Sequence, residues 1–126
     1  MSVVLIVDDN TAVRAVVADY LAYKFPDWKI LQAEDGVEGI TLTQLEKPNL
    51  ILMDADMPYM NGYEAAQKLR QSPDTKQIPI IAISGGSSNV ASDLYVLSDA
   101  ALPKPFSADE LWETIEYVLQ RYNPVA

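Results

Sequence analysis

Two residue types are missing from this chain of 126 residues: cysteine and histidine. Without cysteine there is no disulfide framework, no thiolate nucleophile and no sulfur-ligated metal. Without histidine the usual general base and the usual transition-metal ligand are gone, so any metal here is oxygen-ligated. Positive charge is scarce: 9 Lys and Arg stand against 18 Asp and Glu, a net charge of −9. That balance argues against a nucleic-acid surface, which wants a basic patch. It suits cationic ligands or basic partner faces. No apolar run approaches the length of a membrane helix. Met1 leads straight into an apolar segment with no basic leader, so no signal peptide is expected and the cytoplasm is the expected location.

What is present fits one domain with one sizeable core, spanning 1–126. Hydrophobic residues make up 49% and charged residues 21%, a globular composition. The organising stretch is Asn49-Leu50-Ile51-Leu52-Met53-Asp54-Ala55-Asp56-Met57-Pro58-Tyr59-Met60-Asn61-Gly62. Its apolar start suits a strand buried on both faces of a parallel sheet. Pro58 cannot sit inside a central strand, so the strand ends near Asp54. That is where open α/β sheets bind ligands.

The rest of the chain repeats the pattern. Residues 3–7 form an apolar strand ending in Asp8-Asp9-Asn10, with Asn10 or Thr11 as a helix cap. A helix follows over 11–25, with Val13, Val16, Val17, Tyr20 and Leu21 as its buried stripe. Residues 28–33 form a short strand. A helix over 37–46 turns Val37, Ile40 and Leu45 inward. After the central strand, a third helix over 62–71 buries Tyr63, Ala66 and Leu69. Residues 79–84 are an apolar strand ending in Ser84, followed by Gly85-Gly86 and a short helix over 89–98 that carries Val90, Leu94 and Leu97 on one face. Residues 100–103 form a fifth strand that hands over Lys104-Pro105-Phe106. Ser107 and Glu110 have the capping-box spacing. They open a last helix with Leu111, Ile115, Val118 and Tyr122 inward. Five strands alternating with five helices predict an α/β three-layer sandwich, with a parallel sheet in the flavodoxin-like order 2-1-3-4-5.

In that topology the strand ends bring Asp8, Asp9, Asp54, Asp56, Ser84 and Lys104 to one rim. Two carboxylates about 5 Å apart at an effective dielectric of about 20 repel by roughly 3 kcal/mol. Lys104 offsets part of that, and a divalent cation offsets the rest. Hard oxygen ligands select Mg²⁺ or Mn²⁺. A carboxylate such as Asp54 is also a nucleophile able to form an aspartyl phosphate. The metal and Lys104 would stabilise charge on the phosphoryl oxygens, and Ser84 could donate to them.

Val7-Asp8-Asp9-Asn10, Leu52-Met53-Asp54-Ala55-Asp56-Met57-Pro58 with Met60-Asn61-Gly62, Ile83-Ser84-Gly85 and Lys104-Pro105-Phe106 resemble the receiver domain of two-component response regulators. The resemblance covers essentially the whole chain. It implies Asp54 as phosphoacceptor, Asp9 as a direct Mg²⁺ ligand and Asp8 acting mainly through water. It implies that Asp56 lends the metal its backbone carbonyl, that Ser84 is the switch hydroxyl and that Lys104 contacts the phosphoryl group. The implied partners are a sensor histidine kinase or histidine phosphotransfer protein, and a downstream protein docking on the face of helix four, strand five and helix five. No enzymatic turnover beyond self-phosphorylation and autodephosphorylation is expected. No output domain is expected either, and the oligomer would be a monomer or a phosphorylation-dependent dimer.

Two departures stand out. The family's aromatic residue three positions before the lysine is here Ala101, and the segment between Ser84 and Lys104 is short and opens with Gly85-Gly86. The expected signal path therefore runs through backbone and helix-four movement, with Tyr95 in place of the missing ring. On helix five, Trp112 and Tyr117 read first as partial core and second as interface. The competing functions are a receiver-like binding module that is never phosphorylated, an aspartate-nucleophile phosphatase built on Asp54 and Asp56, and a flavin-binding flavodoxin-like protein.

Overall fold

A computed structural model describes residues 2–86 and 89–122. Ten elements alternate: β1 Val3–Val7, α1 Thr11–Lys24, β2 Lys29–Ala33, α2 Gly36–Glu46, β3 Leu50–Asp54, α3 Gly62–Gln71, β4 Ile80–Ser84, α4 Asn89–Val96, β5 Ala100–Pro103 and α5 Ala108–Tyr122. The strands form one parallel sheet in the order β2-β1-β3-β4-β5. The register pairs Val7 with Met53, Asp54 with Ile83 and Ser84 with Pro103, so the C-terminal ends of the strands share one rim. Among the described residues no helix is long and apolar enough to cross a membrane.

Strand alternation sorts the core into two layers. Leu5, Val7, Ile51, Met53, Ile80 and Ala82 face one way, against Ala65, Ala66 and Leu69 of α3 and Ala91 and Leu94 of α4. Val4, Ile6, Leu50, Leu52, Ile81 and Ile83 face the other way, against Val17 and Leu21 of α1 and Leu111, Ile115 and Val118 of α5. Every residue of β3 and β4 is buried, as a strand covered on both faces requires.

Side chains next to the helix ends fix where the helices begin. Asn10 Oδ1 accepts from Val13 N at 3.1 Å and caps α1. Asp35 accepts from Glu38 N at 2.8 Å and caps α2. Asn61 and Glu64 form a capping box on α3. The expected pair Ser107 and Glu110 forms another before α5, with bonds of 3.0 and 3.1 Å.

Three buried stripes differ from expectation. Val16 is 48% exposed, because α1 covers the sheet through Val17 and Leu21, with Val13 and Tyr20 packed beside them, and leaves Val16 on a surface trough. In α2, Val37 and Leu45 are exposed, and the buried face is Gly36, Gly39 and Thr43. The helix lies so close to β1 that a Cβ on Gly39 would stand 3.0 Å from both Val7 methyl carbons. Small residues make that contact, so apolar periodicity misplaced Val37 and Leu45, while Ile40 packs against the core as expected. Tyr122 is exposed in part, yet its hydroxyl donates to Asp99 Oδ1 at 2.5 Å.

Asp99 is the centre of a knot at the base of the sheet. Its Oδ2 accepts from Ile80 N at 2.8 Å and from Arg70 Nη2 at 3.2 Å. Arg70 also donates to the carbonyls of Leu97, Lys76 and Ile78 at 3.0, 2.7 and 2.7 Å. One guanidinium thus joins α3, the loop before β4 and the corner after α4.

Candidate functional site

The rim at the strand ends gathers the acids. One carboxylate oxygen from each of Asp8, Asp9 and Asp54 lies within 4.8 Å of the others. Asp8 and Asp54 are buried and Asp9 is exposed. Lys104 Nζ donates to Asp8 Oδ2 at 3.0 Å and to Asp54 Oδ1 at 3.1 Å. The ammonium arrives from the loop after β5, where the Lys104–Pro105 peptide is cis. Asp8 is further held by Asn10 N on Oδ1 at 2.9 Å and by its own amide on Ala33 O at 3.1 Å.

Burial, followed by the negative charge of Asp8, raises the Asp54 carboxyl to about 6, against the pull of Lys104. Burial acts to lower Lys104, but its hydrogen bond to Asp8 and the charges of Asp54 and Asp8 outweigh it and raise the ammonium above its ordinary value. One cation among three converging carboxylates leaves negative charge uncompensated. An all-oxygen donor set of this spacing fits a hard divalent ion such as Mg²⁺ or Mn²⁺.

The other expected residues lie on the same rim in different states. Ser84 is buried at the end of β4, and its hydroxyl engages its own loop, donating to Gly86 O at 2.8 Å and accepting from Gly86 N at 3.3 Å. Asp56 is exposed, on the loop two residues beyond Asp54. Ala101 is exposed on β5, and Tyr95 is 37% exposed on α4. Trp112 is half-buried: its indole donates to Tyr20 O at 2.9 Å and stacks on Tyr23. Tyr117 is 54% exposed, so the core reading holds for Trp112 and fails for Tyr117.

An apolar trough of about 560 Å³ runs beside Lys104, lined by Val13, Val16, Tyr20, Pro105 and Phe106 among others. A larger groove of about 830 Å³ lies at the opposite end of the strands, near Ser2, Asn49 and Pro79, away from the acids.

Two residues of the site were given no chemical role in the sequence reading, although Gly62 stood in its motif. Gly62 begins α3 against the end of β3, where a Cβ would stand 2.2 Å from Asp54 O. Its signal was Asn-Gly directly after the acidic loop. Arg14, one turn into α1, donates from Nη1 to the Asp8 carbonyl. Its signal was a lone cation closely following an acid pair.

Residues 4–116 match the response regulator receiver domain family. The chain is 35% identical over 120 residues to the probable transcriptional regulator ycf27 of Cyanophora paradoxa, covering 94% of this chain and 48% of that protein. It is 31% identical over 121 residues to response regulator MprA of Mycobacterium sp. strain KMS, covering 96% of this chain and 52% of that one. The chain spans about half the length of these curated relatives. The solved structure of the chemotaxis protein CheY4 of Vibrio cholerae matches with a TM-score of 0.83 at 28% identity, covering 94% of this chain and 98% of that one. With the match running from the first strand into the last helix, the chain belongs to the response regulator receiver domain family of two-component systems.

Proposed function

We propose that Asp54 accepts a phosphoryl group and that the phosphorylated receiver docks on a partner protein. The observation that carries this reading is a buried carboxylate paired with a largely buried ammonium at an open, acidic rim. An Asp54 carboxylate oxygen attacks phosphorus, and the bond to the donor breaks with its electron pair leaving on the donor. The donor is a phosphohistidine on a kinase or phosphotransfer protein, or a small acyl phosphate. With its carboxyl held near 6, Asp54 is mostly ionised at pH 7 and competent as a nucleophile. Lys104, already 3.1 Å from Asp54, moves its hydrogen bond onto the phosphoryl oxygens.

Asp9 and Asp54 would hold Mg²⁺ directly, with Asp8 through water and Asp56 through its carbonyl. The ion supplies charge neutralisation at the transferring group. Ser84 would exchange its bond to Gly86 O for one to the phosphoryl group, which pulls on the start of α4. The trough beside Lys104 offers a phosphodonor helix an apolar seat next to Asp54. Output leaves through α4, β5 and α5, with Tyr95 and not residue 101 as the aromatic reporter. Amide exchange over residues 89–102 that does not change on phosphorylation would exclude this path. The proposed kinase and phosphotransfer partners favour a cytoplasmic location.

The experiment is an intact mass after incubation with acetyl phosphate and Mg²⁺. The wild type gains one phosphoryl group, while Asp54→Asn and metal-free samples gain none. An adduct that survives Asp54→Asn overturns the assignment.

A further inference from the structure

Arg14 is a cation beside an acidic cluster, yet among the described residues it forms no ion pair. Its guanidinium is engaged by neutral acceptors. Nη1 donates to the Asp8 carbonyl, Nε to Gln32 Oε1 at 3.3 Å on β2, and Nη2 to Thr11 Oγ1 at 3.4 Å. Three pieces of chain are thereby tied around the β1–α1 turn. The Asp8 carbonyl belongs to the peptide that joins Asp8 to Asp9, so holding it fixes how the backbone leads into Asp9.

The two acids differ in what else holds them. Asp8 has its side chain anchored by Lys104 and Asn10. Asp9 is exposed and has no such anchor among the described residues, so its carboxylate is aimed by its backbone alone. A cation parked on carbonyl and amide oxygens orients that backbone without occupying the carboxylate. We propose that Arg14 is the positioning residue for the divalent cation: by clamping the Asp8–Asp9 peptide it aims Asp9 at the site shared with Asp54. The proposal rests on the reading of Asp8, Asp9 and Asp54 as a metal site.

Charge and geometry make opposite predictions here. As a mere charge, Arg14 repels a divalent ion, and its removal tightens binding. As a clamp, it preorganises a ligand, and its removal weakens binding by about tenfold, the usual effect of losing a group that orients a metal ligand. Arg14→Lys keeps the charge but loses the planar, multiply bonded fork. Arg14→Gln loses both.

The test measures Mn²⁺ affinity from the resonance signal of free Mn²⁺, together with the rise in melting temperature that Mg²⁺ produces. Both variants are expected to bind Mn²⁺ about tenfold more weakly and to show a smaller Mg²⁺-induced rise. A purely structural role lowers the metal-free and metal-bound midpoints equally and leaves affinity unchanged, which overturns the proposal. Wild-type affinity in Arg14→Lys with tighter binding in Arg14→Gln overturns it in favour of a charge effect. No Mn²⁺ binding by the wild type fails the metal-site reading itself and takes the proposal with it.

Discussion

Lys104 Nζ lies 3.1 Å from Asp54 Oδ1, across fifty residues of sequence. The same ammonium bonds Asp8, so removing it leaves two nearly buried carboxylates facing each other. Lys104→Gln should cost about 2 kcal/mol at pH 8, the scale of an uncompensated buried charge. The loss should shrink at pH 5, where Asp54 takes up a proton. Urea unfolding at the two pH values measures it, and an equal loss at both refutes the pairing as its cause.

The raised carboxyl of Asp54 makes metal-free stability depend on pH in a definite direction. Burial, then Asp8, lift it from 3.8 to about 6, so the folded chain holds this proton more tightly than the unfolded chain. The resulting stabilisation is complete below about pH 4 and is lost as the pH rises through about 6, a change of about 3 kcal/mol. Without metal at pH 7.5, Asp54→Asn should therefore be more stable than the wild type by up to about 3 kcal/mol. That advantage should vanish near pH 4 and narrow in saturating Mg²⁺, which stabilises the wild type selectively. Paired melting curves across pH decide it.

Tyr59 sits at φ 66 with its side chain 97% exposed, at the centre of a turn closed by Met60 N donating to Pro58 O at 2.7 Å. A left-handed conformation costs a tyrosine about 1 kcal/mol. Tyr59→Asn, which tolerates that region, should raise the melting midpoint by about 3 °C. Tyr59→Ala should bring no such gain. Calorimetry of both variants separates relief of backbone strain from loss of a ring.

Gly62 and Gly39 both allow close approach, with different neighbours. At Gly62 an added Cβ meets a backbone oxygen at 2.2 Å, and at Gly39 it meets side-chain methyls at 3.0 Å. Backbone cannot step aside as a methyl can. Gly62→Ala should cost about 3 kcal/mol and Gly39→Ala about 1 kcal/mol. Gly62→Ala should also lower the phosphoryl adduct yield, because the displaced carbonyl is that of Asp54. The reverse order of stability in denaturant titrations would show that α2, not α3, is the tighter contact.

The strands and their order were legible because β3 and β4 are buried on both faces and read as unbroken apolar runs. The acidic rim was legible because the strands of such a sheet end side by side, which brings Asp8, Asp9 and Asp54 within 4.8 Å of one another. Val37 and Leu45 misled, because α2 packs through Gly36, Gly39 and Thr43, and small residues leave no hydrophobic period. Arg14 stayed hidden because its principal acceptor is a backbone carbonyl, which no side-chain pattern encodes. The Ser84 bond to Gly86 is likewise a matter of loop shape.

The Arg70 knot has a mechanical consequence. Its bond to Leu97 O fastens the corner where α4 ends, while the opposite end of that helix follows the Gly85-Gly86 segment. A rod with polar bonds fastening one end pivots there rather than slides. The eight residues of α4 make a lever about 12 Å long, so a swing of about 10° would displace its first turn, where Ala91 packs into the core, by about 2 Å. Were Ser84 to rearrange as proposed, Arg70 and Asp99 would hold the far end of α4 as its fulcrum.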